Sequence, residues 1–243
     1  MTDSAGNTYM RSPELEAMPR EKLEALQLEK LQKIVRHAQK NVAHYQTAFA
    51  NTGVAPNDLK SLDDIAKFPF TVKNDLRDNY PFGMFAVPKE DVIRVHASSG
   101  TTGKPTVVGY TKEDLDLWSD LMARSMACAG ARPGDMVHNA YGYGLFTGGL
   151  GAHYGAEWLG CTVTPVSGGF TERQITLLED FEARILCATP SYALNIAEIA
   201  EKQGADLKNG PLAIGIFGAE PWSNHMRAEL DKRLGIKAVD IYG

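Results

Sequence analysis

The chain has 243 residues, 44% hydrophobic and 23% charged, which is the composition of a soluble globular protein with room for one large domain or two small ones. A formal net charge of −5 argues against a nucleic-acid surface. No apolar run approaches the roughly 18 residues of a membrane span, and the polar start Met1–Asn7 has no signal-peptide core, which points to the cytoplasm.

Residues 13–52 carry Leu23, Leu26, Leu31, Ile34, Val35, Ala38, Val42, Tyr45 and Phe49 at spacings of three to five, the apolar stripe of a long helix. Arg36, His37, Lys40 and His44 fall off the stripe and form either a solvated face or a site. Gly53 is a stop signal, and Pro56-Asn57-Asp58-Leu59 a turn. Thr71 is placed to cap a short helix with Asn74 or Asp75 in its first turn. Residues 1–85 thus form an N-terminal helical segment, and 86–243 an α/β core.

Between two strand-like runs, Val92–Ala97 and Thr106–Tyr110, lies Ser98-Ser99-Gly100-Thr101-Thr102-Gly103-Lys104-Pro105. Glycines let backbone N–H groups approach an anion, hydroxyls add donors, and lysine adds a mobile charge. The stretch is either a phosphate cradle or an ordinary turn with an exposed lysine. It is not a Walker A loop: two residues, not four, separate Gly100 from Gly103, Pro105 follows the lysine, and a strand follows the loop where a P-loop feeds a helix.

Thr111-Lys112-Glu113-Asp114 resembles a capping box with Asp in place of Glu, opening a helix through Met126. Beyond the turn at Arg132-Pro133-Gly134-Asp135, strands and helices alternate. Strands are predicted at 136–140, 161–166, 185–188, 212–217 and 237–241. Helices are predicted at 148–159, at 171–181 behind a Thr171–Gln174 capping box, at 190–202 behind Thr189, and at 223–234. This alternation predicts a largely parallel sheet with helices on both faces, and strands such as Ala213–Phe217 buried on both sides. Cys128, Cys161 and Cys187 fall in apolar contexts with no metal-ligand spacing, and read as buried free thiols of a reducing compartment.

Ligands of such sheets bind beyond the carboxyl ends of the strands. Three loops lie there. In Asn139–Gly151, glycines permit close approach, while Tyr141, Tyr143 and Phe146 form either apolar walls or core packing. In Gly218-Ala219-Glu220-Pro221, small residues let a planar ring lie on the backbone, and Glu220 either accepts from a ligand amine or faces water. In Asp240-Ile241-Tyr242-Gly243, Tyr242 can stack on a base. His138, next to the first loop, is either a base or a packed strand histidine.

Ser98–Pro105 resembles the phosphate-binding signature of the adenylate-forming enzymes, and the three strand-end loops follow that superfamily's order. Phe68-Pro69-Phe70-Thr71-Val72-Lys73 and Tyr141–Gly149 are similar to one branch, the phenylacetate–CoA ligases. The resemblance implies ATP-dependent ligation of an aryl acid, most simply phenylacetate, to coenzyme A through an acyl-adenylate, with AMP and pyrophosphate formed and ATP, Mg²⁺ and coenzyme A required. It implies that Ser98, Ser99, Gly100, Thr101, Thr102, Gly103 and Lys104 bind phosphate, with Lys104 and Thr101 acting in catalysis. Gly218, Ala219, Glu220, Pro221, Asp240, Ile241, Tyr242 and Gly243 would bind the nucleoside; Tyr141, Phe146, Gly149 and Ala219 would bind the acid. It assigns no metal ligand in this chain. It suggests a homodimer, and an inactive fragment of a longer enzyme, since the family's acidic motif residue and its mobile C-terminal lid domain would lie past Gly243.

Overall fold

A computed structural model describes residues 9–98 and 103–242. The described residues divide into two compact units, one within 12–115 and a second made of 9–11 with 116–242.

In the first unit, the single helix expected over 13–52 is three: α1 (Pro13–Glu16), α2 (Arg20–Asn41) and α3 (Ala43–Thr52). Pro19 has no N–H to continue a ladder and restricts the residue before it, so α2 starts afresh. The second break is at Val42, whose backbone turns extended (φ −118°, ψ 115°) and whose side chain is buried. Side chains take up carbonyls at this break: Asn41 Nδ2 donates to His37 O, and Gln46 Nε2 to Lys40 O. Gly53 closes α3 at φ +69°, the left-handed stop that glycine adopts without strain. The stripe packs as expected at Val35 and Phe49, which meet Leu59 and Phe68, whereas Ile34 stays exposed.

The short helix α4 (Lys73–Asp78) is capped one residue later than expected: Asp75 Oδ2 accepts the Val72 amide, and Thr71 bonds Tyr45 Oη. Strands β1 (Arg94–Ala97) and β2 (Val107–Tyr110) pair antiparallel, so the glycine-rich stretch joins two strands. The cap on α5 (Lys112–Ala129) forms with aspartate: Asp114 Oδ2 accepts from the Thr111 amide and hydroxyl, and Thr111 Oγ1 accepts the Asp114 amide.

The second unit is an α/β layer structure. Strand β3 (Met136–Asn139) leads to α6 (Thr147–Leu159), β4 (Thr162–Thr164), α7 (Thr171–Asp180), β5 (Ile185–Ala188), α8 (Pro190–Gln203), β6 (Ile214–Phe217), α9 (Asn224–Leu234) and β7 (Lys237–Asp240). All five strands are parallel, in the order β4-β3-β5-β6-β7. Successive side chains alternate between faces. Ile185, Cys187, Ile214 and Ile216 pack with Met126 of α5 and Ala152 and Ala156 of α6. Leu186, Ala188 and Phe217 pack with Ile175, Ile196 and Leu230 of α7, α8 and α9. Strands β5 and β6 are buried throughout, as their unbroken apolar runs predict.

Helices α5 and α6 approach closely because α6 is small-faced. A Cβ on Gly151 would lie 2.8 Å from the Trp118 ring, and one on Gly155 2.4 Å from Met122 Cβ. No helix among the described residues is long and apolar enough to cross a membrane.

Candidate functional site

The chain runs from β3 one way to β4 and the other way to β5, so the order reverses between β3 and β5. Crevices form at the carboxyl ends of strands at such a point. A cavity of about 520 Å³ lies there. Tyr141 follows β3, Cys187 and Thr189 lie at the end of β5, Ile216 and Ala219 at the end of β6, and Ile241 and Tyr242 beyond β7; all line it. Trp118, Met122 and Met126 of α5 close the other side, and Thr147, Gly148 and Gly149 of the first turn of α6 join them. Among the described residues, no charged side chain lines the cavity.

Tyr141 is buried, donates from Oη to Ile216 O (3.1 Å), and burial drives its phenol far above the ordinary tyrosine value, so it is a neutral wall. Phe146 is 60% exposed and also lines the cavity. The third aromatic of the loop, Tyr143, does not line it. Gly149 serves packing as well as access: a Cβ there would lie 2.4 Å from Gly142 O.

At the end of β6, Gly218 must be glycine, since a Cβ would come within 2.3 Å of Ile241 O. Ala219 takes φ +71°, unusual for a residue with a side chain. Glu220 is not turned to water: its Oε1 accepts the Ser191 amide (2.7 Å) in the first turn of α8, where the helix dipole favours a carboxylate. Asp240 Oδ1 accepts from Trp222 Nε1 (2.9 Å), and Ile241 N donates to Phe217 O (2.8 Å), so the end of β7 is fixed while Tyr242 is fully exposed.

Of the glycine-rich stretch, Ser99, Gly100, Thr101 and Thr102 lie outside the described residues, as does Gly243. Ser98 closes the hairpin mouth: its amide donates to Thr106 O and its Oγ accepts the Thr106 amide. Gly103 has φ +133° with nothing within 4 Å of a Cβ position. Lys104 Nζ lies 5.7 Å from the centroid of the Tyr80 ring.

Two buried polar residues on β3 point to opposite faces. Asn139 Nδ2 donates to Tyr143 Oη (2.7 Å) and Gly149 O (2.8 Å). His138 meets Gln174, and here the expected Thr171–Gln174 capping box is replaced. The residue before α7 is Phe170, in a left-handed conformation, and Gln174 turns into the core. Gln174 Nε2 gives its hydrogens to Ser167 O (2.6 Å) and Gly169 O (2.9 Å), so its Oε1 faces His138 Nε2, which must carry the proton. His138 is therefore a packed strand histidine. Burial holds its pKa below the ordinary histidine value, with the Gln174 bond opposing. The unfolded chain takes up this proton near pH 6.5 and the folded chain only at lower pH. The stability is thus fully present above about pH 6.5 and falls as pH drops toward the folded pKa, by at most about 1.4 kcal/mol per pH unit. Denaturation at pH 7.5 and 5.5 is expected to show a larger loss in the wild type than in His138→Gln. Equal loss would mean that folded His138 still titrates normally.

The cavity residues that the sequence did not single out include Trp118, Met122, Met126, Cys187 and Ile216. The first three recur every four residues on α5, a legible helix stripe, but nothing local says which layer it meets.

No family model matches the chain. Among solved structures, a 2-hydroxyisobutyryl-CoA ligase in complex with 2-HIB-AMP and CoA superposes with a TM-score of 0.89 at 32% identity, over 94% of this chain and 50% of that one. The fold is thus that of the adenylate-forming ligases, of which this chain shows part. In sequence it is a homologue of the phenylacetate–coenzyme A ligases: that of Aromatoleum evansii is 63% identical over 229 residues, 94% of this chain and 52% of the relative. That of Escherichia coli is 57% identical over 224 residues, 92% of this chain and 51% of the relative. The chain spans about half the length of the curated relatives it matches.

Proposed function

We propose that this chain supplies the acid- and nucleotide-binding part of an AMP-forming ligase that joins an aryl acid, phenylacetate first, to coenzyme A. The observation that carries it is the uncharged cavity at the sheet's switch point, walled by Trp118, Tyr141 and Phe146. A flat apolar group fits such walls, and a charged or sugar-like one would lose its hydration there without gaining partners. The first turn of α6 lines the same cavity, and a helix N-terminus favours a carboxylate.

In the first step a carboxylate oxygen of the acid attacks the α-phosphorus of ATP. The new P–O bond forms as the bond to pyrophosphate breaks, leaving an acyl-adenylate. In the second, the sulfur of coenzyme A, its thiol proton lost to solvent, attacks the acyl carbon and the C–O bond to AMP breaks. Neither step needs a protein nucleophile. The chain's contributions are placement of the acid, which converts a bimolecular encounter into a local one, and donors aimed at the departing phosphate charge. The hydroxyls of Ser98–Thr102 and the amine of Lys104 are our candidates for those donors. An apolar enclosure also keeps water from the mixed anhydride. Among the described residues no three His, Cys, Asp or Glu side chains converge as a cation site.

The test is ATP–pyrophosphate exchange with a panel of aryl and aliphatic acids, on this chain and on the full-length protein. Exchange that depends on phenylacetate and is weaker with short aliphatic acids is expected. ADP as product, or no exchange with any acid in the full-length protein, would overturn the proposal.

A further inference from the structure

The segment from Tyr141 to Phe146 forms one wall of the cavity, yet its backbone is not held by the sheet. None of the amides from Tyr141 to Gly144 donates to a backbone carbonyl among the described residues. Side chains hold it instead. Asn139 Oδ1 accepts the Tyr141 amide (3.3 Å), and Ser167 Oγ accepts the Tyr143 amide (3.3 Å). The Tyr143 hydroxyl lies between Asn139 Nδ2 (2.7 Å) and His153 Nδ1 (3.1 Å).

The direction of these bonds is determined. Asn139 has two amide hydrogens, one on Gly149 O and one on Tyr143 Oη, so the hydroxyl accepts from Asn139. Its own proton then goes to His153 Nδ1, which must present a lone pair. The His153 proton sits on Nε2, which lies 3.2 Å from Glu157 Oε1. The chain Asn139–Tyr143–His153–Glu157 runs unbroken from a fully buried amide to an exposed carboxylate. Burial pushes the Tyr143 phenol up to about 12, so it remains a neutral donor throughout the working range.

A second chain reaches the same residue from the opposite face of the sheet. His138 meets Gln174, Gln174 donates to Ser167 O, and Ser167 receives the Tyr143 amide. Ser167 holds φ +69°, a strained conformation for a residue with a side chain, and both its oxygens are engaged. Consecutive β3 residues, His138 and Asn139, therefore converge on Tyr143 from the two sides.

We propose that Tyr143, which does not line the cavity, is the positioning residue of the wall that meets the acid. It fixes Tyr141 and Phe146 through its hydroxyl and its amide, and His153 in its Nε2–H form is the outer half of the clamp. The proposal rests on the acid-binding function proposed above for this cavity. Because the clamp is peripheral to both apolar clusters of the unit, its loss should loosen the wall without unfolding the sheet.

The test is Tyr143→Phe, which keeps the ring and removes the hydroxyl, assayed in the full-length protein. The KM for phenylacetate is expected to rise about five- to ten-fold, the measure of one lost hydrogen bond, with kcat and the KM for ATP within two-fold. His153→Ala should do the same. His153→Gln, which still offers an acceptor to Tyr143 and a donor to Glu157, should restore the acid KM to within two-fold of wild type. Hydrogen exchange on the same variants reads the wall directly: amides 140–146 should exchange faster in Tyr143→Phe while those of β5 and β6 do not change. An unchanged acid KM with unchanged exchange, or equal losses in acid KM, ATP KM and melting temperature, would overturn the proposal. Faster exchange at 140–146 in a protein whose wild type shows no acid-dependent activity would instead overturn the acid-binding function on which it rests.

Discussion

Replacement of Phe217 by alanine is expected to destabilise the chain by about 3–5 kcal/mol, the cost of emptying a fully buried aromatic site. Phe217 is the last residue of β6, fully buried, and sets its ring edge-on to Trp222 at 5.9 Å. Its own strand is cut to make room for it: a Cβ on Gly215, two residues earlier in β6, would lie 2.2 Å from the ring. The ring shares its apolar cluster with Leu186, Ala188 and Leu230, and the parallel ladder that ties β5 to β6 limits collapse onto the space it leaves. Typical domains have only about 5–15 kcal/mol of stability in all, so the loss is a large share. For a chain of this size it corresponds to a fall of about 10 °C in melting temperature. The effect on the site comes in addition, because Phe217 O receives the Ile241 amide and the chain turns directly into Gly218 and Ala219. Thermal melts of Phe217→Ala and Phe217→Leu would measure it. A fall of less than about 3 °C in the alanine variant would show that the ring is not the keystone of that layer.

Replacement of Lys104 by alanine is expected to lower acid-dependent pyrophosphate exchange about 10²–10³-fold in the full-length protein, the usual effect of removing one preorganised donor to developing charge. Lys104 is exposed, with its amine 5.7 Å from the centroid of the Tyr80 ring, so its replacement leaves no buried cavity. Melting temperature should hold, and the acid KM should change less than the rate. This separates the phosphate role from folding. Exchange within three-fold of wild type would reduce Ser98–Pro105 to an ordinary turn with an exposed lysine.

The relation between sequence and site differs from element to element. Short-range signals prevail where one residue decides the outcome. Thr111 and Asp114 cap α5, Thr189 accepts the Tyr192 amide at the start of α8, and Gly53 ends α3, because each is settled within four residues by a hydrogen bond or a permitted φ. The same signals misled where tertiary packing competed. Thr171–Gln174 has the spacing of a capping box, but a buried His138 offers Gln174 a partner in a dry interior, where an unmet polar group costs more than an open helix end in water. The stripe over 13–52 has one period throughout, yet Pro19 and Val42 divide it, since periodicity records which face is apolar and not whether the ladder is continuous.

The sequence by itself determined the class of sheet, from alternating short apolar runs and capped helices, and it marked the strand-end loops, because turn residues and glycines are local. The tertiary structure decided which face of α5 meets the sheet, how closely α6 approaches it, and therefore that Trp118, Met122 and Met126 share a cavity with Tyr141 and Ile216. It also decided that Glu220 caps α8 and that Tyr143 is a clamp and not a wall. The physical reason is range: a cap or a turn is an energy between neighbours in the chain, whereas a cavity is the space left when layers distant in sequence fail to fill one another.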